Sequence, residues 1–170
     1  MDVLIVDGYN IIGAWPELRE LQKTDFAAAR DKLIEKMAEY KAYTGYRVII
    51  VFDAHLVPGI EKKITNQNVE VIFTKENEIA DEKIEKMANE LTNINTQVHV
   101  ATSDYTEQWV VFGQGALRKS ARELLIEVND IDKKINRSVQ ETNQRKATNR
   151  IKIKSEIAEI FEKWRRGSQE

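Results

Sequence analysis

The sequence predicts an α/β fold, a three-layer sandwich in which helices flank a mainly parallel central sheet of four or five strands. Four short apolar runs rich in Val and Ile alternate along the chain with amphipathic segments. Unbroken β-branched runs are typical of strands covered on both faces, and their alternation with helices predicts right-handed crossovers between parallel strands. The length of 170 residues and the apolar share of 42% suit one domain around one core.

The strand predictions follow these apolar runs. They are Val3–Val6, Val48–Phe52, Val69–Phe73 and Val98–Ala101. A further run, Trp109–Phe112, is either a fifth strand or the end of the preceding helix.

Four segments place apolar residues three and four positions apart, as the buried face of a helix does. They are residues 24–44, 80–91, 119–135 and 155–167. Thr24 is the predicted N-cap of the first helix and Gly45 its C-terminal stop, while Ser155 is predicted to cap the last helix. Residues 140–154, the most polar stretch, are predicted to form a mobile loop.

The charges are unevenly divided along the chain. Residues 1–132 carry a net charge of −8 and residues 133–170 one of +6, although the whole chain carries only −2. A nucleic-acid-binding protein is expected to show such a division, and the solvated face of a helix would show it too. The basic residues of the tail are Lys133, Lys134, Arg137, Arg145, Lys146, Arg150, Lys152, Lys154, Lys163, Arg165 and Arg166.

Composition excludes several kinds of site. The chain has no cysteine, which rules out disulfides, thiol nucleophiles and thiolate metal sites. No apolar run approaches the roughly 20 residues of a membrane-spanning helix, so no membrane partner is expected. The first residues lack the basic region and cleavage site of a secretory signal, and a cytoplasmic location is expected.

Acidic residues stand where the predicted strands end. Asp7, Asp53 and Asp104 follow the first, second and fourth strands, and Asp81 lies in the first turn of the helix after the third. Because parallel strands end at one edge of a sheet, these carboxylates are expected to converge there. Their repulsion favours a divalent cation with oxygen ligands, Mg²⁺ or Mn²⁺, that could act on a phosphodiester. Each Asp taken alone is more typical of a helix cap or turn than of a catalytic site.

The stretch from Asp7 to Asn10 carries more information than any single acid. Gly8 permits either a tight turn or a close approach of the backbone to a neighbouring group. Asn10 could face the same site from the first helical turn, where its amide can accept from water and donate to a phosphate. The alternative for Asn10 is a helix N-cap.

The opening Leu4–Asn10 resembles the signature of NYN domains, a nuclease branch of the PIN-like fold. Five later blocks resemble, in order, those of the bacterial YacP-like subgroup. These blocks are Val51–Ala54, Ala80–Ile84, Val100–Asp104, Gly115–Leu124 and Phe161–Gly167. The resemblance covers nearly the whole chain and implies a single PIN-like nuclease domain over residues 1–170, with a basic C-terminal helical region at 133–170.

The resemblance implies a metal-dependent endoribonuclease. Asp7, Asp81 and Asp104 would hold one or two Mg²⁺ or Mn²⁺ ions, and Asn10 would contact the substrate phosphate or support a ligand. Asp53 and Ser103 would contact and orient the metal-binding side chains. A member of the subgroup is a ribosome-associated endonuclease that cuts mRNA during translation, so mRNA and the ribosome are expected partners.

Basic residues after position 117 are expected to hold RNA phosphates, which positions the RNA without reading its sequence. They are Arg118, Lys119, Arg122, Lys133, Lys134, Arg137, Arg145, Lys146, Arg150, Lys152 and Lys154. Two other classes stay open. One is a non-catalytic RNA- or ribosome-binding factor on this fold. The other is a phosphatase or phosphorylated receiver, although Tyr9 stands where a haloacid-type phosphatase needs a second Asp.

Overall fold

Six strands form one sheet. In chain order they are β1 (Asp2–Asp7), β2 (Arg47–Phe52), β3 (Lys63–Asn66), β4 (Val69–Phe73), β5 (Gln97–Ala101) and β6 (Leu117–Lys119). Their order across the sheet is β3-β4-β2-β1-β5-β6. Strands β4, β2, β1, β5 and β6 are parallel to one another, and the edge strand β3 is antiparallel to β4. The predicted α/β class and the mainly parallel sheet are therefore confirmed.

The structure is a computed structural model that describes residues 1–54, 63–66, 68–113 and 115–167. Within it, the four predicted apolar runs form β1, β2, β4 and β5. The edge strands β3 and β6 were not predicted, because they are short and contain no run of apolar residues. The strand alternative for Trp109–Phe112 is wrong, since these residues lie in a helix.

Helices cover both faces of the sheet. In chain order they are α1 (Gly8–Ala14), α2 (Pro16–Thr24), α3 (Phe26–Thr44), α4 (Ala80–Leu91), α5 (Tyr105–Gly113) and α6 (Ala121–Gly167). The prediction for residues 80–91 is confirmed. The stop of α3 at Gly45 is also confirmed, because Gly45 adopts a left-handed φ of 76°. The cap of α3 is Asp25 rather than Thr24, since its carboxylate accepts the Ala28 N–H at 3.0 Å.

Two helical features differ from the prediction. Helices α1 and α2 were missed because the apolar spacing before residue 24 is short and interrupted by Pro16, which in fact occupies the first turn of α2. Residues 140–154 form no loop, and Ser155 caps nothing, because α6 runs unbroken through both. No Gly or Pro interrupts residues 121–166, and polarity alone does not end a helix whose residues are good helix formers.

The core lies against the sheet. Val3, Ile5 and Val51 of the central strands pack with Ile84 and Ala88 of α4 on one face. The opposite face carries buried residues of the same strands, such as Leu4, and contacts α1 and α3. The central strands are thus buried on both sides, as their unbroken apolar sequence requires.

The chain divides into two compact units. The first, Met1–Asn129, contains the whole sheet, and the second, Asp130–Glu170, contains the remainder of α6. No helix in the described part of the chain is both long and apolar enough to span a membrane.

Candidate active site at the carboxyl edge of the sheet

Three strands of the first unit end side by side at the edge where the acids were predicted. Asp7, the last residue of β1, pairs with Val51 of β2, and Val6 pairs with Ala101 of β5. Asp7 is only 7% exposed. The central position of β1 therefore puts Asp7 between the ends of β2 and β5, in the crevice that open parallel sheets use for ligands.

Asp53 lies against the helix that carries Asp81. It follows β2 directly, and its carboxylate accepts the backbone N–H of Ala80 at the long distance of 3.5 Å. This contact is at the first residue of α4, where the helix leaves backbone donors unpaired. Asp53 thus supports the start of α4, and Asp81 follows one residue later.

Folding raises the pKa of Asp81 above its ordinary value. Burial raises the pKa of its half-buried carboxyl, and the neighbouring carboxylates of Asp104 and Asp53 raise that pKa further. Smaller contributions come from Glu85 and Glu82 on the same helix. Folding therefore brings Asp53 and Asp104 each close enough to repel Asp81, and a divalent cation would relieve that repulsion.

The acids do not form a preassembled metal cage. Within residues 1–54, 63–66, 68–113 and 115–167, no group of three or more His, Cys, Asp or Glu side chains is gathered closely enough to hold a metal ion. The shared ligand set of Asp7, Asp81 and Asp104 stays a prediction. Mg²⁺ usually keeps several waters and takes only one or two carboxylates, so the acidic edge fits it without a three-acid cluster.

Asn10 connects helix α1 to the turn after β5. Its side-chain oxygen accepts two hydrogen bonds from Ser103, one from the backbone N–H and one from the hydroxyl, both at 2.6 Å. Because both partners can donate, the oxygen must face Ser103, and the amide group retains two N–H donors. Asn10 lies inside α1 and is not its N-cap, which is Asp7.

Asp104 has a structural role in the same turn. Its carboxylate accepts the Thr106 N–H at 2.9 Å, at the start of α5. Its own backbone N–H donates to the hydroxyl of the buried Thr102 at 3.1 Å. These bonds fix the position of Asp104 and commit one of its carboxylate oxygens to the helix start.

Gly8 is required by a close approach. A Cβ atom at this position would lie 2.3 Å from the ring of Phe52, which is fully buried at the end of β2. The Gly8 backbone therefore packs directly on the ring. Of the two predicted roles for Gly8, the structure bears out the close approach.

The predicted RNA-binding residues of the first unit differ in their surroundings. The ammonium group of Lys119 is paired with Glu127 at 2.7 Å and lies over the Tyr40 ring. Arg118 is exposed, and its guanidinium carbon lies 5.7 Å from the ring centre of Trp109. Trp109 is 54% exposed and was not predicted as a site residue. The sequence could not reveal this exposure, because Trp109–Phe112 suited a strand as well as a helix.

A pocket of about 430 Å³ lies next to the Asn10–Ser103 connection. Arg122 lines it together with Ser103 and Gln108. Arg122 stands in the first turn of α6, where Ser120 and Glu123 exchange hydrogen bonds at 2.9 and 3.1 Å in a capping box.

The second unit carries the remaining predicted cations on α6. All of them are exposed, and they are Lys133, Lys134, Arg137, Arg145, Lys146, Arg150, Lys152 and Lys154. The apolar residues that marked the end of this helix are also exposed: Ile157 by 45%, Ile160 by 50%, Phe161 by 63% and Trp164 by 69%.

The family model of the YacP-like NYN domain matches residues 4–166. The chain belongs to the YacP-like NYN domain family. It is 65% identical over 167 residues to YacP of Bacillus subtilis (strain 168), and the alignment covers 98% of each chain. The family resemblance predicted from the sequence blocks is confirmed.

Two solved structures of this family share the fold. The crystal structure of Rae1 (YacP) from Bacillus subtilis is 64% identical, covers 99% of this chain and 97% of its own, and superimposes with a TM-score of 0.77. The W164L mutant of the same protein superimposes with a TM-score of 0.76 at 64% identity, over 85% of each chain. The NYN domain family is nuclease-like.

Proposed function

We propose that the chain is an endoribonuclease that uses Mg²⁺ or Mn²⁺ to cleave mRNA. The observation that carries the proposal is the electrostatic coupling of Asp81 to Asp104 and Asp53 at the edge where Asp7 ends the central strand. Mutually repelling carboxylates in a crevice are typical of sites that hold a divalent cation or bind a reacting group.

The acids have distinct roles in this proposal. Asp7, Asp81 and Asp104 would hold the metal ion, one or two of them directly and the remainder through bound waters. When bound, the ion supplies positive charge against the phosphodiester and acidifies a water that can attack the phosphorus. Asp53 holds the start of α4 and thereby keeps Asp81 at the edge.

Polar and basic side chains next to the acids would position the RNA. The Asn10 amide donates N–H bonds to a phosphate while its oxygen holds Ser103. Arg118 and Arg122 bind neighbouring phosphates, and Trp109 offers an exposed ring for a base to stack on. Lys119 contributes less to RNA binding, because its ion pair with Glu127 already fixes β6 to α6.

The chemical groups at the ends of the cleaved RNA identify the nucleophile. Attack by water leaves a 5′-phosphate and a 3′-hydroxyl. A 2′,3′-cyclic phosphate would instead mean that the 2′-hydroxyl of the RNA attacks.

The ribosome is the proposed place of action, and the exposed cations of residues 133–154 are suited to RNA phosphates there. The absence of a three-acid cluster in the described residues favours one other function, a non-catalytic RNA- or ribosome-binding factor. Metal-dependent cleavage distinguishes the two.

The test compares the wild type with Asp81→Asn, and with Glu90→Gln, which removes an exposed carboxylate from the same helix. Mg²⁺ should raise the melting temperature of the wild type and of Glu90→Gln more than that of Asp81→Asn. Internal RNA cleavage in Mg²⁺, with translating ribosomes present, should vanish only in Asp81→Asn. Equal Mg²⁺ stabilisation and equal cleavage in all three proteins would refute the metal site.

A further inference from the structure

An aromatic cluster lies at the carboxyl edge on the β2–β4 side of the acids. It consists of Phe52 and Phe73, which end β2 and β4, with Tyr9 of α1 and Phe26 of α3. The Phe52 and Phe73 rings stack with centres 5.5 Å apart, and the Tyr9 ring lies 4.9 Å from Phe52 and 5.2 Å from Phe26. Phe52 is buried, whereas the other three rings remain partly exposed.

Arg30 is held against this aromatic cluster. Its guanidinium donates a hydrogen bond to the Tyr9 hydroxyl at 3.3 Å and lies 5.9 Å from the centre of the Phe73 ring. In the described part of the chain, Arg30 pairs with no carboxylate. With one hydrogen bond to the residues that the structure describes, this half-buried guanidinium has further N–H donors that suit an anion.

The position of Arg30 follows from the chain path. Helix α3 leads into β2 at the amino edge of the sheet, so its first turns, with Phe26 and Arg30, lie at the carboxyl edge. The Tyr9 hydroxyl lies within electrostatic reach of both Arg30 and Asp53. The guanidinium therefore lies on the Asp53 side of the carboxyl edge.

We propose that Arg30 is a substrate-positioning residue that binds a backbone phosphate of single-stranded RNA, with a base stacked on the exposed rings of the aromatic cluster. The inference rests on the proposed function. Contacts with Tyr9 and Phe73 fix the planar guanidinium before the RNA arrives, which suits it to bidentate phosphate binding. The RNA then crosses the acids between Arg30 on the β4 side and Arg118 with Trp109 on the β6 side.

The test measures binding of a single-stranded RNA oligonucleotide as a function of salt, with Asp81→Asn in every protein to prevent cleavage. Arg30→Gln should raise the dissociation constant about tenfold, because it removes a charge-assisted bond. It should also reduce the slope of log K against log salt by about 0.7, the value for one phosphate of a single strand. Arg19→Gln, the same change at an exposed arginine of α2, should alter neither quantity.

Arg30→Lys separates charge from folding. It keeps the positive charge, so the salt slope should stay at the parent value while affinity falls, because lysine lacks the planar fork. An equal decrease of the slope in Arg30→Lys and Arg30→Gln would show that altered folding causes the effect and would overturn the inference. The inference would also be overturned if Arg30→Gln bound RNA as tightly as Arg19→Gln does, or if the parent protein bound no RNA.

The outcomes separate this inference from the proposed function. Cleavage by the wild type together with unchanged RNA binding in Arg30→Gln would refute the role of Arg30 alone. RNA binding that depends on Arg30 in a protein that never cleaves would refute the nuclease and leave the Arg30 site standing.

Discussion

At the residue scale, the fold holds Asp81 in surroundings that disfavour its ionised carboxylate. Asp81 is partly desolvated and repelled by Asp104 and Asp53, and both effects favour its protonated form. Sites selected for binding commonly contain such groups, because a ligand rather than the folded chain relieves the repulsion. The same residue should therefore oppose folding and support function.

The pH dependence of stability should reveal this opposition. Folding raises the pKa of Asp81 above its ordinary value of 3.8, so the folded state binds the Asp81 proton more tightly than the unfolded state does. This proton binding stabilises the folded state at low pH, and the stabilisation is lost as pH rises through the raised pKa. Asp81→Asn should therefore melt at a higher temperature than the wild type at pH 7 without metal. The difference should disappear below about pH 4, near the unperturbed value. A variant that is less stable at pH 7 would contradict the repulsion.

Gly8 gives a second prediction at this scale. Gly8→Ala places a methyl group 2.3 Å from the fully buried Phe52 ring, so it should destabilise the protein by about 1–3 kcal/mol in urea unfolding. Gly13→Ala is the matched control, because nothing lies within 4 Å of its Cβ position in the same helix. It should be neutral or stabilising by up to about 1 kcal/mol. Equal effects of the two changes would contradict the close approach.

At the element scale, the site depends on bonds between segments that are far apart in sequence. Asn10 of α1 holds Ser103, and Thr102 holds Asp104 in the same turn. Helix α1 and the start of α5 are thereby fixed to each other above the end of β1. The position of Asp104 relative to Asp7 depends on these bonds.

Substitution of Asn10 should loosen this connection. Asn10→Ala removes two hydrogen bonds and should lower stability by about 1–2 kcal/mol, whereas Ser103→Ala removes only the hydroxyl bond and should cost about half as much. The double variant should equal Asn10→Ala, because both changes remove the same interaction. Fully additive destabilisation in urea unfolding would show that the two side chains act independently.

The sequence predicted the elements whose signal is local. The runs of β1, β2, β4 and β5 and the apolar spacing of α4 each lie within one window of the chain. Strand β6 was missed because three residues carry too little pattern, and its pairing with β5 decides its structure. The unbroken α6 was not predicted, because the polar residues 140–154 lack the apolar spacing that marks a helix, although polar residues do not end one.

The site was predicted less completely than the fold, for a physical reason. That strand ends converge follows from parallel topology, so the neighbourhood of Asp53, Asp81 and Asp104 could be anticipated. Side-chain partners could not, because Arg30 meets Tyr9 and Lys119 meets Glu127 only through tertiary packing. The two cations look alike in the sequence, whereas packing pairs one of them with a carboxylate.

At the scale of the whole molecule, charge is separated between two compact units. The sheet unit holds the acids, and α6 from Asp130 onward holds most of the exposed basic residues. An acidic body alone would repel RNA, so the basic unit is expected to supply much of the sequence-independent attraction. Substitutions in the basic unit should therefore change the affinity for RNA, whereas substitutions of the acids should change its cleavage.

Neutralising part of the basic unit tests that separation. Changing Arg145, Lys146, Arg150 and Lys152 to Gln should weaken RNA binding and lower its salt slope by up to about 0.7 for each phosphate that the protein no longer binds. Mg²⁺ should still stabilise this variant as it stabilises the wild type. An unchanged salt slope would show that these cations do not bind RNA.

The most direct measurement of the central claim is to map mRNA ends in a translation reaction containing Mg²⁺, with wild-type protein and with folded Asp81→Asn. The account predicts internal cuts with 5′-phosphate and 3′-hydroxyl ends for the wild type and none for the variant. Identical cuts with both proteins, or ribosome binding without any cut by the wild type, would contradict it.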